Sequence, residues 1–307
     1  MKESFLCSRR KERCKMENLV QQLINGISLG SIYALIALGY TMVYGVIKLI
    51  NFAHGDIYMV GAYLGYALIQ NVGLGLFPAI LISMIFCAIL GVVIEKIAYK
   101  PLRGATRVAT LITAIGVSYL LQNVMIYIMG PEVKAFPTAL IVRNWTFGGV
   151  TINSQQILIF LTTVILMIAL QVIVKYTKMG KAMRAVSTDP EAAQLMGINV
   201  DNVISFTFVL GSSLAGAAGV LVGIYYNSIS PLMGVTPGLK AFVAAVFGGI
   251  GIIPGAMVGG YVIGIIETLV SAYGGSMFKD AVVYLILIII LIVKPSGIFG
   301  KNTKEKV

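Results

Sequence analysis

The sequence predicts an all-α polytopic membrane protein with eight or nine transmembrane helices. Of its 307 residues, 58% are hydrophobic and 11% charged, where soluble globular chains carry about 25% charged residues. A span needs about 20 apolar residues; nine segments are candidates, and most of the charges lie in the connections between them. The net charge of +11 makes no nucleic-acid face, because the basic residues are scattered among apolar runs. It reads as the excess of Lys and Arg that cytoplasmic loops of membrane proteins carry.

In chain order, residues 19–47 are too long for one upright helix and are predicted to tilt, bend or turn early. Segment 51–70 opens on the polar junction "INFAHGD"; 76–94, 108–130, 154–175 and 203–225 follow as ordinary spans. Segment 236–250 is short and carries Pro237 and Lys240, which predicts a half-span or a broken helix. Segments 253–273 and 278–294 complete the set. Trp145, in the longest loop, suits an interfacial anchor.

Lys96, Lys100, Arg103 and Arg107 lie in one connection, and Lys175, Lys178, Lys181 and Arg184 in a second. Lys294, Lys301, Lys304 and Lys306 lie at the C-terminus. With Lys48 these are expected on the cytoplasmic side, with Lys134, Arg143 and Lys279 opposite. Nine spans ending inside put the N-terminus outside, yet residues 1–15 carry Lys2, Arg9, Arg10, Lys11, Arg13 and Lys15. Either segment 51–70 enters and leaves on one side, giving eight crossings, or the tail is no part of the working protein. Met16, which opens "MENLVQQLINGISLGSIY", is the expected initiator. The long apolar run after it does not suit a secretory signal. The expected layout is a basic tail (1–15), one transmembrane domain (16–300) with a cytoplasmic loop (176–202), and a basic cytoplasmic tail (301–307).

Small residues recur four apart: Gly26/Gly30/Ala34, Gly61/Gly65, Gly211/Ala215/Gly219, Gly255/Gly259 and Gly260/Gly264. On a helix each set makes a flat stripe that lets another backbone approach closely. "PAILISMIFCAILGVVIEK", from Pro78 to Glu95 and beyond, echoes "PGAMVGGYVIGIIETL", from Pro254 past Glu267. This suggests two repeats of about four helices on either side of span 154–175, inverted because an odd number of spans separates them.

Functional groups are few. Cys7, Cys14 and Cys87 are the cysteines and His54 the only histidine, too few for a structural zinc site. A Ser-His-Asp set would have to use His54, and nothing else supports one. Asn51, His54 and Asp56 interrupt the apolar pattern; Asn51 or Asp56 is placed to cap the next helix, or the three lie on a substrate path. Glu267, inside a span, calls for a partner.

"KMGKAMRAVSTDPEAAQLMGINV", 178–200, reads as a short capped helix between two spans. Asp189 is a good N-cap and Pro190 suits the first helical position. Glu191 favours the helix dipole, Ala192 and Ala193 are strong helix formers, and Gly197 is a natural stop. Thr188 and Glu191 also have capping-box spacing, leaving the start open by one residue. About two turns are too short to persist alone in water, so the helix must pack on something. A headgroup-lying loop and a docking helix both fit.

"EAAQLMG" resembles the Glu-Ala-Ala-x-x-x-Gly pattern in the cytoplasmic loop of ABC importer permeases. "NGISLGSIYALIALGYTMVYGVIKLINFAHGDIYMVGAYLGY" (25–66) and "KAFVAAVFGGIGIIPGAMVGGYVIGIIE" (240–267) resemble the two halves of branched-chain amino acid permeases of the LivH type. The resemblance spans nearly all of 16–300; no Leu-Pro follows Gly197, unlike the longer type I motif. It implies an ABC importer permease fold in the bacterial inner membrane. It also implies that Asp189, Pro190, Glu191, Ala192, Ala193 and Gly197 form the helix seated in an ATPase groove. The implied partners are a second permease, usually a different chain, two cytoplasmic ATP-binding subunits and an external amino-acid-binding protein. No G-x-x-x-x-G-K-[ST] is present and "MGKAM" lacks its hydroxyl, so ATP is expected to be bound and hydrolysed by the partners. A related permease for urea or short amides is one rival. An ion-coupled secondary transporter using Asp56, Glu95 and Glu267 is another; a membrane enzyme is the weakest.

Intact-mass analysis of the purified protein is expected to give a chain starting at Met16. A recovered N-terminal peptide containing Arg9 and Arg10 refutes this.

Overall fold

The computed structural model describes residues 2–137 and 143–300, the side chains of residues 2–14 and of Arg107 excepted. Its elements are α1 (Lys2–Ile47), α2 (His54–Gln70), α3 (Leu76–Ile94), α4 (Arg107–Met129), β1 (Lys134–Ala135), β2 (Asn144–Phe147), β3 (Val150–Asn153), α5 (Ser154–Tyr176), α6 (Lys178–Thr188), α7 (Pro190–Leu195), α8 (Val200–Tyr226), β4 (Ser228–Ile229), α9 (Val235–Gly248), α10 (Ile253–Leu269) and α11 (Lys279–Val293). Wide π turns, Glu95–Tyr99 and Val270–Gly274, prolong α3 and α10. The side chains of Cys7 and Cys14 and the 301–307 tail lie outside what is described.

Seven of the described helices are long and apolar enough to cross a membrane. The first runs unbroken over Lys15–Ile47, 33 residues, or about 50 Å at 1.5 Å per residue, so it exceeds a bilayer core of about 30 Å without turning. Its surplus turns hold the far loop: Gln21 donates to the Thr151 carbonyl at 2.9 Å and accepts from the Thr151 N–H at 2.8 Å.

Outside those seven lie α2, with 17 residues, and α9, with 14. Their first turns meet inside the bundle, where Gly55 packs on Gly234 and Gly238. From there they diverge. The end of α2 lies beside β1, with Tyr66 under Lys134 and tilted against Phe136. The end of α9 lies by the C-terminal turn, with Gly249 against Ser296 and Gly300. The predicted half-span at 236–250 is α9. Segment 51–70 is its counterpart: the chain turns back at Lys48, a non-glycine residue with positive φ of 59°, reaches mid-bundle through an irregular stretch and a turn at 52–53, and leaves at the end away from where α1 arrived. It does not enter and leave on one side, so the eight-crossing alternative fails. The end of α1 that carries Gln21 therefore lies opposite the end that carries Lys48, Lys100, Arg103 and Lys175–Arg184.

The inverted repeat is visible in the packing. At the centre α1 crosses α8, Gly39 against Gly211. Alongside α1 runs α10 antiparallel, Gly26 against Ile265 and Gly30 against Tyr261; alongside α8 runs α3, Gly91 against Ser212 and Cys87 against Gly216. Thus α1 and α8 are equivalents, as are α3 and α10, and α2 and α9. The small-residue stripes do what their spacing predicts: a Cβ on Gly61 would lie 2.6 Å from the Gly216 Cα. The connection predicted only as a loop holds the hairpin β2–β3, turned by Gly148 and Gly149, both with positive φ. Such paired positive-φ residues make the tight hairpin turn, a signal present in "FGGV".

Gly61→Leu is expected to abolish most folded protein, since overpacking against backbone has nothing flexible to displace. Gly116→Leu, where an added Cβ meets nothing within 4 Å, is expected to melt like the parent. Size-exclusion thermal unfolding in detergent compares them; equal midpoints would refute the α2–α8 contact.

Candidate functional site

The polar segment between α5 and α8 is two helices rather than one. The helix α6 starts on Thr177, whose hydroxyl accepts from the Gly180 N–H at 3.0 Å, and buries Met183 and Val186 one turn apart. Its signal, Thr177 before an i,i+3 apolar pair, was legible but not used. The next turn breaks at Asp189, whose Oδ1 accepts from the Glu191 and Ala192 N–H groups, both at 3.0 Å. That decides the start: Thr188 belongs to α6, and its hydroxyl donates to the Arg184 carbonyl at 3.0 Å.

Gly197 ends α7 at φ +81°, with its N–H on the Gln194 carbonyl at 3.0 Å. The N–H of Ile198 reaches the Ala193 carbonyl, also at 3.0 Å. Of the six predicted positions only Ala193 is buried. Glu191 and Ala192 are exposed, and so are Leu195 (88%) and Met196 (82%). The helix is thus held by one alanine and its caps, with its apolar end uncovered. Behind it, a cavity of about 700 Å³ separates Pro190 and Gln194 from Val46 and Ile47 of α1.

A charge network ties this segment to the bundle. Asp201, in the first turn of α8, meets Lys100 at 2.7 Å and also pairs with Arg103. Arg103 in turn pairs with Glu95, which is fully buried and accepts from the Ser205 hydroxyl at 2.7 Å. Sequence reasoning used Lys100 and Arg103 only to orient loops and missed Asp201, because their partner is about a hundred residues away.

Asn51, His54 and Asp56 are all buried at the start of α2. Neither Asn51 nor Asp56 caps it; Ala53 occupies that position without a side-chain bond. Asn51 Oδ1 accepts from the Tyr99 hydroxyl at 2.8 Å, and His54 lies edge-on to Tyr40 at 4.8 Å between Gly39 and its neighbours. Asp56 Oδ1 accepts from Gln122 Nε2 at 3.0 Å. Asp56 lines a cavity of about 170 Å³ bounded also by Tyr40, Ser118, Gln122 and the α9 start. Glu267 has the partner it required: Lys240 Nζ at 2.6 Å and the Tyr33 hydroxyl at 2.8 Å.

The family described as "Branched-chain amino acid transport system / permease component" matches residues 22–291. The chain belongs to this family. The permease BraD of Pseudomonas aeruginosa, named as part of a high-affinity branched-chain amino acid transport system, is 44% identical, covering 94% of this chain and 98% of its own. LivH of Escherichia coli K12, named in the same way, is also 44% identical, over 94% and 97%. A probable LivH of Methanocaldococcus jannaschii is 30% identical over 94% and 96%. The branched-chain permease family thus accounts for the whole transmembrane domain, and with seven apolar helices the protein is a multi-pass membrane protein.

Arg103→Ala is expected to lower the unfolding midpoint markedly, because an unpaired buried carboxylate costs about 3–5 kcal/mol. Glu95→Gln added to it is expected to recover most of the loss. An unchanged midpoint for the single variant removes this network as a structural support.

Proposed function

We propose that this chain is a transmembrane subunit of an ATP-driven importer of branched-chain amino acids in the bacterial cytoplasmic membrane. The observation that carries this is α7: a capped helix on the basic end of a branched-chain permease fold, with Glu191, Ala192, Leu195 and Met196 free to contact another protein. The basic end is the cytoplasmic side by the positive-inside rule. A lipid-facing helix would bury its apolar residues along one long stripe, which six residues with an alanine pair do not provide.

In this reading two ATP-binding subunits seat α7 of each of two permeases, and ATP binding and hydrolysis happen there. The relatives are named as permeases of a transport system, which supports further components; in this reading they are a second permease and an external amino-acid-binding protein. Movement at α7 passes through the rigid α6–α7 unit to α5 and α8, and the space behind Pro190 lets the unit tilt. The Arg103–Asp201 bridge carries the shift on to α3. The path between permeases then changes the side it faces. Of the carboxylates named for ion coupling, Glu95 and Glu267 already hold cations, which favours an ATP-driven importer over an ion-coupled one.

Ala192→Trp and Glu191→Lys are expected to insert and fold normally but to lose co-purification with the importer's ATP-binding subunits, and leucine uptake with it. Unchanged assembly and uptake in both variants would defeat the docking role.

A further inference from the structure

At the end of the bundle away from α7 lies a cavity of about 370 Å³, within the range of small-molecule sites. The length of α8 separates it from α7: 27 residues, or about 40 Å. One wall is charged. Lys240 Nζ lies 2.6 Å from Glu267 Oε1 and 2.6 Å from Asp280 Oδ1, and Lys279 lines the same space. Two cations therefore face two carboxylates, with no net charge. Lys240 and Glu267 are 3% exposed, while the Asp280 side chain is 43% exposed, so Asp280 is the member able to swing away. Tyr58 also lines the cavity; its hydroxyl is fully buried and has no hydrogen-bond partner among the described residues. Facing these groups, Val222, Ile229, Leu232 and Met233 form an aliphatic wall.

The geometry points to a binding site for a free α-amino acid with an aliphatic side chain. Most ligands entering here would leave part of the charge pair unmatched, which is costly for the buried Lys240 and Glu267. A zwitterion is the exception, because it brings one charge of each sign. Its carboxylate takes the place of Asp280 on Lys240, with Lys279 close by. Its ammonium is received by the displaced Asp280 and by Glu267. The Tyr58 hydroxyl, now lacking a partner, gains one in the carboxylate, and the side chain lies on the aliphatic wall. The inference rests on the proposed function and extends it by placing the cargo's entry site here, at the end opposite α7.

The test is direct binding to the purified chain in lipid nanodiscs by calorimetry. Leucine is the probe; 4-methylpentanoate lacks its ammonium and 3-methylbutylamine lacks its carboxylate. Leucine is expected to bind, with both analogues at least tenfold weaker. Asp280→Asn is expected to weaken leucine about tenfold or more, and the mild Tyr58→Phe by a few-fold. Circular dichroism melting confirms that each variant is folded. If leucine does not bind, or binds both variants like the parent, the site is wrong. Leucine uptake by the intact importer separates the two readings: uptake without binding at this cavity overturns only the site, while absence of leucine uptake overturns the proposed function itself.

Discussion

A backbone N–H or C=O within a bilayer must find a partner inside the protein, yet this chain enters mid-bundle twice without a helix, at 48–53 and 227–234. The structure meets the demand by surrounding both stretches with helices that almost touch. Gly39 on Gly211, Gly61 on Gly216 and Gly30 on Tyr261 bring backbones together closely enough to leave no lipid-filled gap. In that interior α2 and α9 can start head to head at Gly55 and Gly234. The near-contact of glycine faces is therefore what permits broken helices, and broken helices are what allow polar groups such as Asp56 to reach mid-depth.

Charge follows the same pseudo-symmetry. Just past α3 and near the end of its equivalent α10 sits a glutamate, and each is buried with a cation: Glu95 with Arg103, Glu267 with Lys240. Because the two helices run in opposite directions, one pair stands at the basic end and the other near the opposite end. The former locks a loop onto α8 beside the α6–α7 unit. The latter faces a cavity and has a partly exposed third member in Asp280. Equivalent positions in the repeat thus serve different ends of the molecule.

The α6–α7 unit is stiff where it joins the bundle and bare where it faces outward. Met183, Val186 and Ala193 anchor it, while Leu195 and Met196 have no cover. An isolated helix of six residues would not persist in water, so its order comes from these anchors and from the Asp189 cap.

Local rules determined a good deal from the sequence alone. The membrane class, the spans, the Asp189 cap, the Gly197 stop and the small-residue stripes all follow from residues within a few positions of one another, and each lies where the sequence places it. The common basic end was legible for the same reason, since charges in short loops act where they stand. What required the tertiary structure was every choice of partner. The sequence named Lys240 and Glu267 separately, but Tyr33, 234 residues from Glu267, could not be assigned to it by any local pattern. Likewise 51–70 has the composition of either a crossing or a re-entrant helix. Only the packing settles which, with Tyr66 ending beside Lys134 at the end opposite Lys48, because where a helix starts and ends is fixed by what it packs against and not by its own residues.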